Sequence, residues 1–149
     1  MSDLRCHFTG MKLPTIGLVD DLPDNTDILS TLLNDLCGVA EVKSFNSGRE
    51  FLKDLRSRAF NLVLLDLLMP EMDGYEVFRR IRQVDPVVPI VALTAHSAER
   101  SRAISLGFTD FIAKPVMDIE SFCKVVRQYL DHPCSPALAG RDRLKSLSE

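Results

Sequence analysis

The chain repeats one pattern five times: a short, mostly apolar run followed by a longer stretch in which apolar residues recur at helical spacing. Uninterrupted apolar runs of four or five residues are typical of strands buried on both faces of a parallel sheet. The second run alternates apolar and polar residues instead, as an edge strand with one wetter face does. The pattern predicts strands over 15–19, 39–44, 62–65, 89–93 and 109–113.

Each run precedes a predicted helix, and four of these helices have a clear apolar stripe. The stripes consist of Ile28, Leu29, Leu32, Leu33 and Leu36; Phe51, Leu52 and Leu55; Val77, Phe78 and Ile81; and Ile119, Phe122, Val126, Tyr129 and Leu130. Turn and N-cap residues at 22–25 open the first helix, and Asn46 or Ser47 caps the second. The helix over 97–106 has the weakest stripe, so we expect it to be weakly anchored and able to move.

Five βα units predict an α/β fold, a parallel sheet with helices on both faces, because crossovers between parallel strands are right-handed. A doubly wound, flavodoxin-like (βα)5 sheet of strand order 2-1-3-4-5 puts the second strand at an edge and the first and third side by side. We expect one domain over 15–131, a loose leader over 1–14, and a tail over 132–149 without an output domain.

Composition and charge narrow the class of protein. The 149 residues are 46% hydrophobic and 26% charged, as in a soluble globular domain, and a net charge of -3 gives no reason to expect nucleic acid or an anionic membrane as partner. No apolar stretch is long enough to span a membrane, and residues 1–14 lack the apolar core of a signal peptide. We therefore expect a cytoplasmic protein.

The cysteines have no CxxC spacing and fall in different predicted elements. They are Cys6, Cys37, Cys123 and Cys134. We interpret them as small core residues, with disulfides or a zinc site that uses 6–7 or 132–134 as the alternatives.

Polar side chains follow four of the predicted strands at the point where each strand ends. Asp20 and Asp21 follow the first strand, Asp66 the third, Thr94 the fourth and Lys114 the fifth. Because the carboxyl ends of parallel strands meet at one edge of a sheet, we expect these side chains to converge. Crowded carboxylates repel one another, and a divalent cation with oxygen ligands, above all Mg2+, offsets that repulsion.

A hard cation and an ammonium beside a central carboxylate suit the transfer of a phosphoryl group to that carboxylate. Asp66 is the candidate nucleophile, Thr94 would donate a hydrogen bond to the new phosphoryl group, and Lys114 would hold it by charge. Each residue alone has a simpler explanation as a turn, cap or solvated residue. Four strand ends that jointly supply such a site favour the chemical interpretation, whereas Glu71 and Asp73 fit loop solvation and helix capping.

These motifs resemble the receiver domain of two-component response regulators. The resemblance covers about residues 15–131 and rests on Asp20-Asp21, the stretch 64–74 around Asp66, Leu93-Thr94-Ala95 and Lys114-Pro115. It implies that Asp66 accepts phosphate from a phosphohistidine on a histidine kinase or phosphotransfer protein. It also implies that Mg2+ is bound by Asp21 and Asp66, by Asp20 largely through water, and by the backbone carbonyl of Leu68.

The resemblance further implies a switch. Thr94 would move toward the phosphoryl group, Phe111 would turn inward, and the face made by the fourth helix, fifth strand and fifth helix would change its contacts with a protein partner. Phe111 as an ordinary core residue is the alternative. Lys114-Pro115 matches the family's cis peptide, and phosphate lifetime is left open because residues 68 and 96 beside the site vary among receivers.

Two other functions compete with this one. The enzyme alternative is a magnesium-dependent phosphatase or phosphotransferase that acts on an external substrate, as haloacid-dehalogenase-like proteins do. Those proteins place the nucleophile in an Asp-x-Asp pair after the first strand, and Asp20-Asp21-Leu22 lacks that spacing. Flavin binding is disfavoured because Asp20-Asp21 would repel a flavin phosphate. The motifs look more like stand-alone or hybrid-kinase receivers than DNA-binding regulators. Kinase docking on the first helix, near Asn25 and Ile28, and a phosphorylation-dependent homodimer are further expectations.

Overall fold

The computed structural model describes residues 13–34 and 41–130, and it contains five strands and five helices in strict alternation. The strands are β1 (Thr15–Val19), β2 (Glu41–Phe45), β3 (Leu62–Asp66), β4 (Ile90–Thr94) and β5 (Asp110–Ala113). The helices are α1 (Pro23–Leu32), α2 (Gly48–Leu55), α3 (Gly74–Val84), α4 (Glu99–Leu106) and α5 (Ile119–Tyr129).

All strand pairs are parallel, and the sheet order is β2-β1-β3-β4-β5. This confirms the predicted flavodoxin-like order, with β2 at one edge and β1 beside β3. At the carboxyl ends, Val19 pairs with Phe45 and Leu65, and Asp66 pairs with Leu93. The register therefore brings the residues that follow β1, β3, β4 and β5 to the same edge.

The sheet is buried on both faces, as the apolar runs predict. Along β3, Leu62 and Leu64 pack with the core under α1 and α5, while Val63 and Leu65 pack with the core under α2, α3 and α4. The second core includes an aromatic group in which Phe51 contacts Phe60 at 5.0 Å between ring centroids. The alternation of side chains in β3 thus holds two helical layers to one sheet.

Helix termini follow the predicted capping, with one exception. Ser47 and Asp73 are the N-caps of α2 and α3, and their side chains accept hydrogen bonds from the backbone amides three residues on. Gly107 ends α4 with φ of 113°. The expected side-chain cap of α1 is wrong, because that helix begins at Pro23, and Leu22 at the N-cap has no polar side chain.

The remaining predictions concern the Lys114-Pro115 peptide bond, the cysteines, the two ends of the chain and membrane-spanning segments. The Lys114-Pro115 peptide is cis, as predicted. Cys123 is buried, as expected of a small core residue. The predictions for the other three cysteines, for residues 1–12 of the leader and for the tail lie outside the described residues. None of the helices described here is long and apolar enough to cross a membrane.

Candidate functional site

The carboxyl edge of the sheet gathers the predicted polar side chains. Asp20 and Thr94 are completely buried, Asp66 is nearly so, and Asp21 and Lys114 are half-buried. Charged groups rarely enter a protein interior unless they are paired or functional. Their collection at the ends of β1, β3, β4 and β5 makes this edge the candidate site.

Three neighbours donate hydrogen bonds to Asp20 in addition to Lys114. Its carboxylate accepts hydrogen bonds from the backbone amide of Leu22 at 3.0 Å and from the side-chain amide of Asn25 at 3.3 Å. The side-chain amide of Asn46 donates to its backbone carbonyl at 3.1 Å. Sequence reasoning missed this role of both asparagines, because each occupies a turn where capping is the common interpretation.

Lys114 is the cation of the site. Its Nζ lies 2.8 Å from Oδ2 of Asp20 and 3.5 Å from Oδ2 of Asp66. Burial lowers the pKa of Lys114, but the hydrogen bond to Asp20 and the charge of Asp66 outweigh burial and raise that pKa above its usual value. Lys114 is therefore a permanent ammonium that bridges two carboxylates.

Asp66 has the most perturbed acidic group of the site. Burial raises the pKa of its carboxyl from 3.8 to about 6; the charge of Lys114 works in the opposite direction, and the charge of Asp20 adds to the increase. The backbone amide of Leu68 donates to its Oδ1 at 3.3 Å. At neutral pH the group is ionised, but its negative charge is only partly compensated by neighbouring residues.

The acidic residues suit a hard cation. Asp20, Asp21 and Asp66 each offer a carboxylate oxygen, and these oxygens lie within 4.8 Å of one another. Such an all-oxygen donor set fits Mg2+, and one lysine cannot balance three carboxylates. Leu68 follows Asp66 by two residues in the adjoining loop, and the role of its carbonyl stays a prediction.

The loop after Asp66 is shaped by a glycine. Gly74 begins α3 and donates its backbone amide to the carbonyl of Leu67 at 2.9 Å. A Cβ at Gly74 would lie 2.4 Å from the carbonyl oxygen of Asp66, so only glycine lets the helix start this close to the strand end. In the same loop Glu71 has φ of 64°, and Asp73 caps the helix, as expected.

The two predicted switch residues lie on neighbouring strands. Thr94 ends β4 with its Oγ1 accepting from the backbone amide of His96 at 3.1 Å. Phe111 on β5 pairs with Ala92 in the sheet register and is half-buried, with the guanidinium of Arg100 6.0 Å from its ring centre. Phe111 packs against the core that lies under α2, α3 and α4.

A polar contact between α3 and α4 was not predicted. The hydroxyl of Tyr75 donates to the carboxylate of Glu99, and the guanidinium of Arg102 lies 4.2 Å from the centre of the Tyr75 ring. Burial and the Glu99 carboxylate raise the pKa of Tyr75 to about 12, so the hydroxyl keeps its proton. The apolar stripe predicted for this helix is Val77, Phe78 and Ile81, so the sequence pattern gave no signal for Tyr75.

The comparisons with known proteins identify the family. The protein-family model described as the response regulator receiver domain matches residues 16–127 of this chain. The chain belongs to this family. It is a receiver domain of two-component signalling, in which receiver domains pair with histidine kinases.

The relatives of this receiver domain differ in size. A Leptolyngbya boryana protein, named as an uncharacterized 14.6 kDa protein in the sodA1 3' region, is 36% identical over 118 residues, which cover 76% of this chain and 88% of that protein. The signal transduction histidine-protein kinase BarA of Escherichia coli K12 is 32% identical over 106 residues. That match covers 68% of this chain but 11% of BarA.

Solved structures of receiver domains share the fold. Thermotoga maritima TrrA, a response regulator solved in complex with Mg(2+)-BeF, is 29% identical with a TM-score of 0.71, over 78% of this chain and 99% of TrrA. The receiver domain of the Pseudomonas aeruginosa sensor histidine kinase PA1611, solved with a magnesium ion in its active site cleft, is 26% identical with a TM-score of 0.70. That alignment covers 78% of this chain and 97% of the PA1611 domain.

Proposed function

We propose that this receiver domain accepts a phosphoryl group on Asp66 from a phosphohistidine of a histidine kinase or phosphotransfer protein. It would act as a regulatory phospho-acceptor and not as an enzyme for an external substrate. The observation that carries the proposal is the contact of Lys114 with Asp66 and Asp20 at the edge where three carboxylates meet. Membership of the family, and magnesium in the PA1611 receiver structure, support it.

In the transfer step, a carboxylate oxygen of Asp66 forms a bond to phosphorus as the nitrogen–phosphorus bond of phosphohistidine breaks. The electron pair of that bond returns to the imidazole, and the product is an acyl phosphate on Asp66. A pKa of about 6 supports this role, because the carboxylate is ionised at neutral pH while burial leaves it poorly solvated.

Two side chains would stabilise the transferred group. Lys114, already 3.5 Å from Oδ2 of Asp66, would pair with a phosphoryl oxygen. Thr94 would donate its hydroxyl hydrogen bond to another phosphoryl oxygen; its Oγ1 accepts from the His96 amide, so the O–H is available as a donor. We propose that Mg2+ is held by Asp20, Asp21, Asp66 and the Leu68 carbonyl. When bound, Mg2+ supplies positive charge that offsets the negative charge of the phosphoryl oxygens.

We further propose that phosphorylation changes the surface formed by α4, β5 and α5, through Thr94 and Phe111. This surface leaves large apolar side chains in solvent, Ile104, Leu106 and Met117 among them. Exposed apolar side chains suit contact with a protein partner. In this proposal the half-buried Phe111 has an outward and an inward position, and phosphorylation shifts the population toward the inward one.

The partners are proposed at the level of class. Docking of the kinase or phosphotransfer protein on α1 is supported by the exposed apolar side chains of Leu22 and Ile28 beside the site. The downstream partner would be a protein that binds the α4, β5 and α5 surface, and a second phosphorylated copy of the chain is one such partner. We keep the cytoplasm as the proposed location, since that is where the receiver would meet a kinase domain.

The test is direct phosphorylation of the whole chain by acetyl phosphate in the presence of Mg2+, followed by intact mass measurement. We expect one added phosphoryl group on the wild type, none on Asp66→Asn, and the full amount on the matched control Asp27→Asn, which alters an exposed carboxylate in α1. Chelation of Mg2+ should abolish the modification. An unmodified wild type, a modified Asp66→Asn, or sustained turnover of a small phosphoester would contradict the proposal.

A further inference from the structure

A groove between α2 and α3 carries positive charge that the phospho-acceptor site does not use. Its lining residues are Arg49, Leu52, Lys53, Arg56, Met72 and Arg80. Four of these are cationic and none is acidic, in a chain whose formal net charge is -3. The groove encloses about 270 Å³.

The groove has fixed walls. The spacing i, i+3, i+4, i+7 is followed by Arg49, Leu52 and Lys53 of α2 and by Arg56 at its C-cap, so these residues form one stripe along the helix surface. The two helices approach closely, because a Cβ at Gly48 would lie 2.2 Å from Cγ2 of Val77. The cationic side chains of the stripe therefore project from a helix that packs closely against α3.

Among the described residues, most of this positive charge has no carboxylate partner. Within residues 13–34 and 41–130, no carboxylate lies within 4.0 Å of the side-chain nitrogens of Arg49, Lys53 or Arg56. Arg80 differs, since its Nε lies 2.8 Å from Glu76. A bound anion would thus gain charge-assisted hydrogen bonds without breaking existing ion pairs on α2.

The lining also limits the kind of anion. Leu52 and Met72 are half-buried among the cations and offer apolar contact. Past Met72 the cleft continues into a stretch where Glu71, Asp73 and Glu76 lie among Arg79 and Arg102, so the purely cationic part of the lining is short. A short segment with carboxylates and an apolar side chain fits both features.

We propose that the α2–α3 groove binds a short acidic segment of a protein partner, with its carboxylates on Arg49, Lys53 and Arg56 and an apolar side chain against Leu52 and Met72. The groove lies on a different surface from the proposed α4, β5 and α5 switch surface. Binding there requires no phosphoryl group on Asp66, so it is independent of the proposed function.

The test uses the whole ¹⁵N-labelled chain titrated with an acetylated peptide of repeating Glu-Glu-Leu, with amide shifts recorded by NMR. We expect the largest shifts in residues 49–56 and 72–80. A Glu-Glu-Ser peptide should bind several-fold more weakly, because it lacks the apolar side chain. The same experiment with Asp66→Asn should give the same affinity and shifts, which separates this proposal from the phospho-acceptor proposal.

Matched charge reversals locate the site. Lys53→Glu should weaken binding about fivefold or more, whereas Lys124→Glu, the same change at an exposed position of α5, should alter it less than about twofold. Absence of peptide binding, shifts outside the groove, or equal losses in both variants would overturn the proposal. Tighter binding of a single-stranded oligonucleotide at the groove would also overturn it, by making nucleic acid the occupant.

Discussion

The helices α3 and α4 follow the strands that carry Asp66 and Thr94, yet they are attached to the sheet very differently. Helix α3 has eleven residues, of which five are buried, and its first turn is capped by Asp73. Helix α4 has eight residues, of which Ala103 is buried, and Ala98 at its N-cap offers no side-chain hydrogen bond. Ile104 and Leu106 in α4 are each about half exposed to solvent.

This difference separates a fixed side of the site from a movable one. Buried apolar area sets how much free energy is needed to displace an element, so α3 should open only with the whole domain and α4 well below that threshold. We therefore expect α3, which follows Asp66, to stay in place, and α4, which follows Thr94, to move when the site is phosphorylated.

The largest expected effect is on the free energy of unfolding when one isoleucine in each helix is replaced by alanine. Ile81 in α3 is 0% exposed and Ile104 in α4 is 44% exposed. We expect Ile81→Ala to lower the free energy of unfolding by about 2–5 kcal/mol and Ile104→Ala by less than about 1 kcal/mol. Urea unfolding of both variants measures this, and similar losses would remove the distinction between the helices.

The second largest effect concerns the carboxylate of Asp66, at the end of the strand that leads to α3. Replacing Asp66 by Asn removes a poorly solvated carboxylate, so without Mg2+ and at neutral pH we expect the free energy of unfolding to rise by about 1–3 kcal/mol. The control Asp27→Asn should change it by less than about 0.5 kcal/mol. Thermal unfolding in a chelating buffer provides the measurement.

The pH dependence of that gain has a definite sign. The pKa of Asp66 is raised from 3.8 to about 6 in the folded state, so the folded state binds this proton more tightly. The contribution of the group to stability is full below pH 3.8 and is lost as pH rises to about 6. The advantage of Asp66→Asn should therefore appear between those values and then level off; an advantage that grows on acidification would contradict the assigned shift.

The smallest effect concerns the link between the two helices. Tyr75→Phe keeps the ring that packs against Phe108 but removes the hydroxyl bonded to Glu99. We expect a loss of about 0.5–1.5 kcal/mol and several-fold faster amide hydrogen exchange in α4, with exchange in α3 unchanged. If α3 exchanged faster as well, the hydrogen bond would support both helices and not chiefly α4.

The sequence was sufficient for the fold because each strand ends where an apolar run meets a polar residue, as at Leu65 and Asp66. It also predicted which side chains converge, since parallel strands share one edge. It did not predict the amides of Asn25 and Asn46 that hold Asp20, because local turn chemistry explains an asparagine equally well. Contacts between helices, such as Tyr75 with Glu99, depend on three-dimensional distances that periodicity does not encode.

Hydrogen exchange of the whole chain before and after phosphorylation by acetyl phosphate and Mg2+ tests the central claim most directly. The account predicts that phosphorylation at Asp66 alters exchange in α4 and β5 while the amides of α3 keep their protection, and that Asp66→Asn shows no change under the same treatment. Equal changes in α3 and α4, or a response that persists in Asp66→Asn, would contradict it.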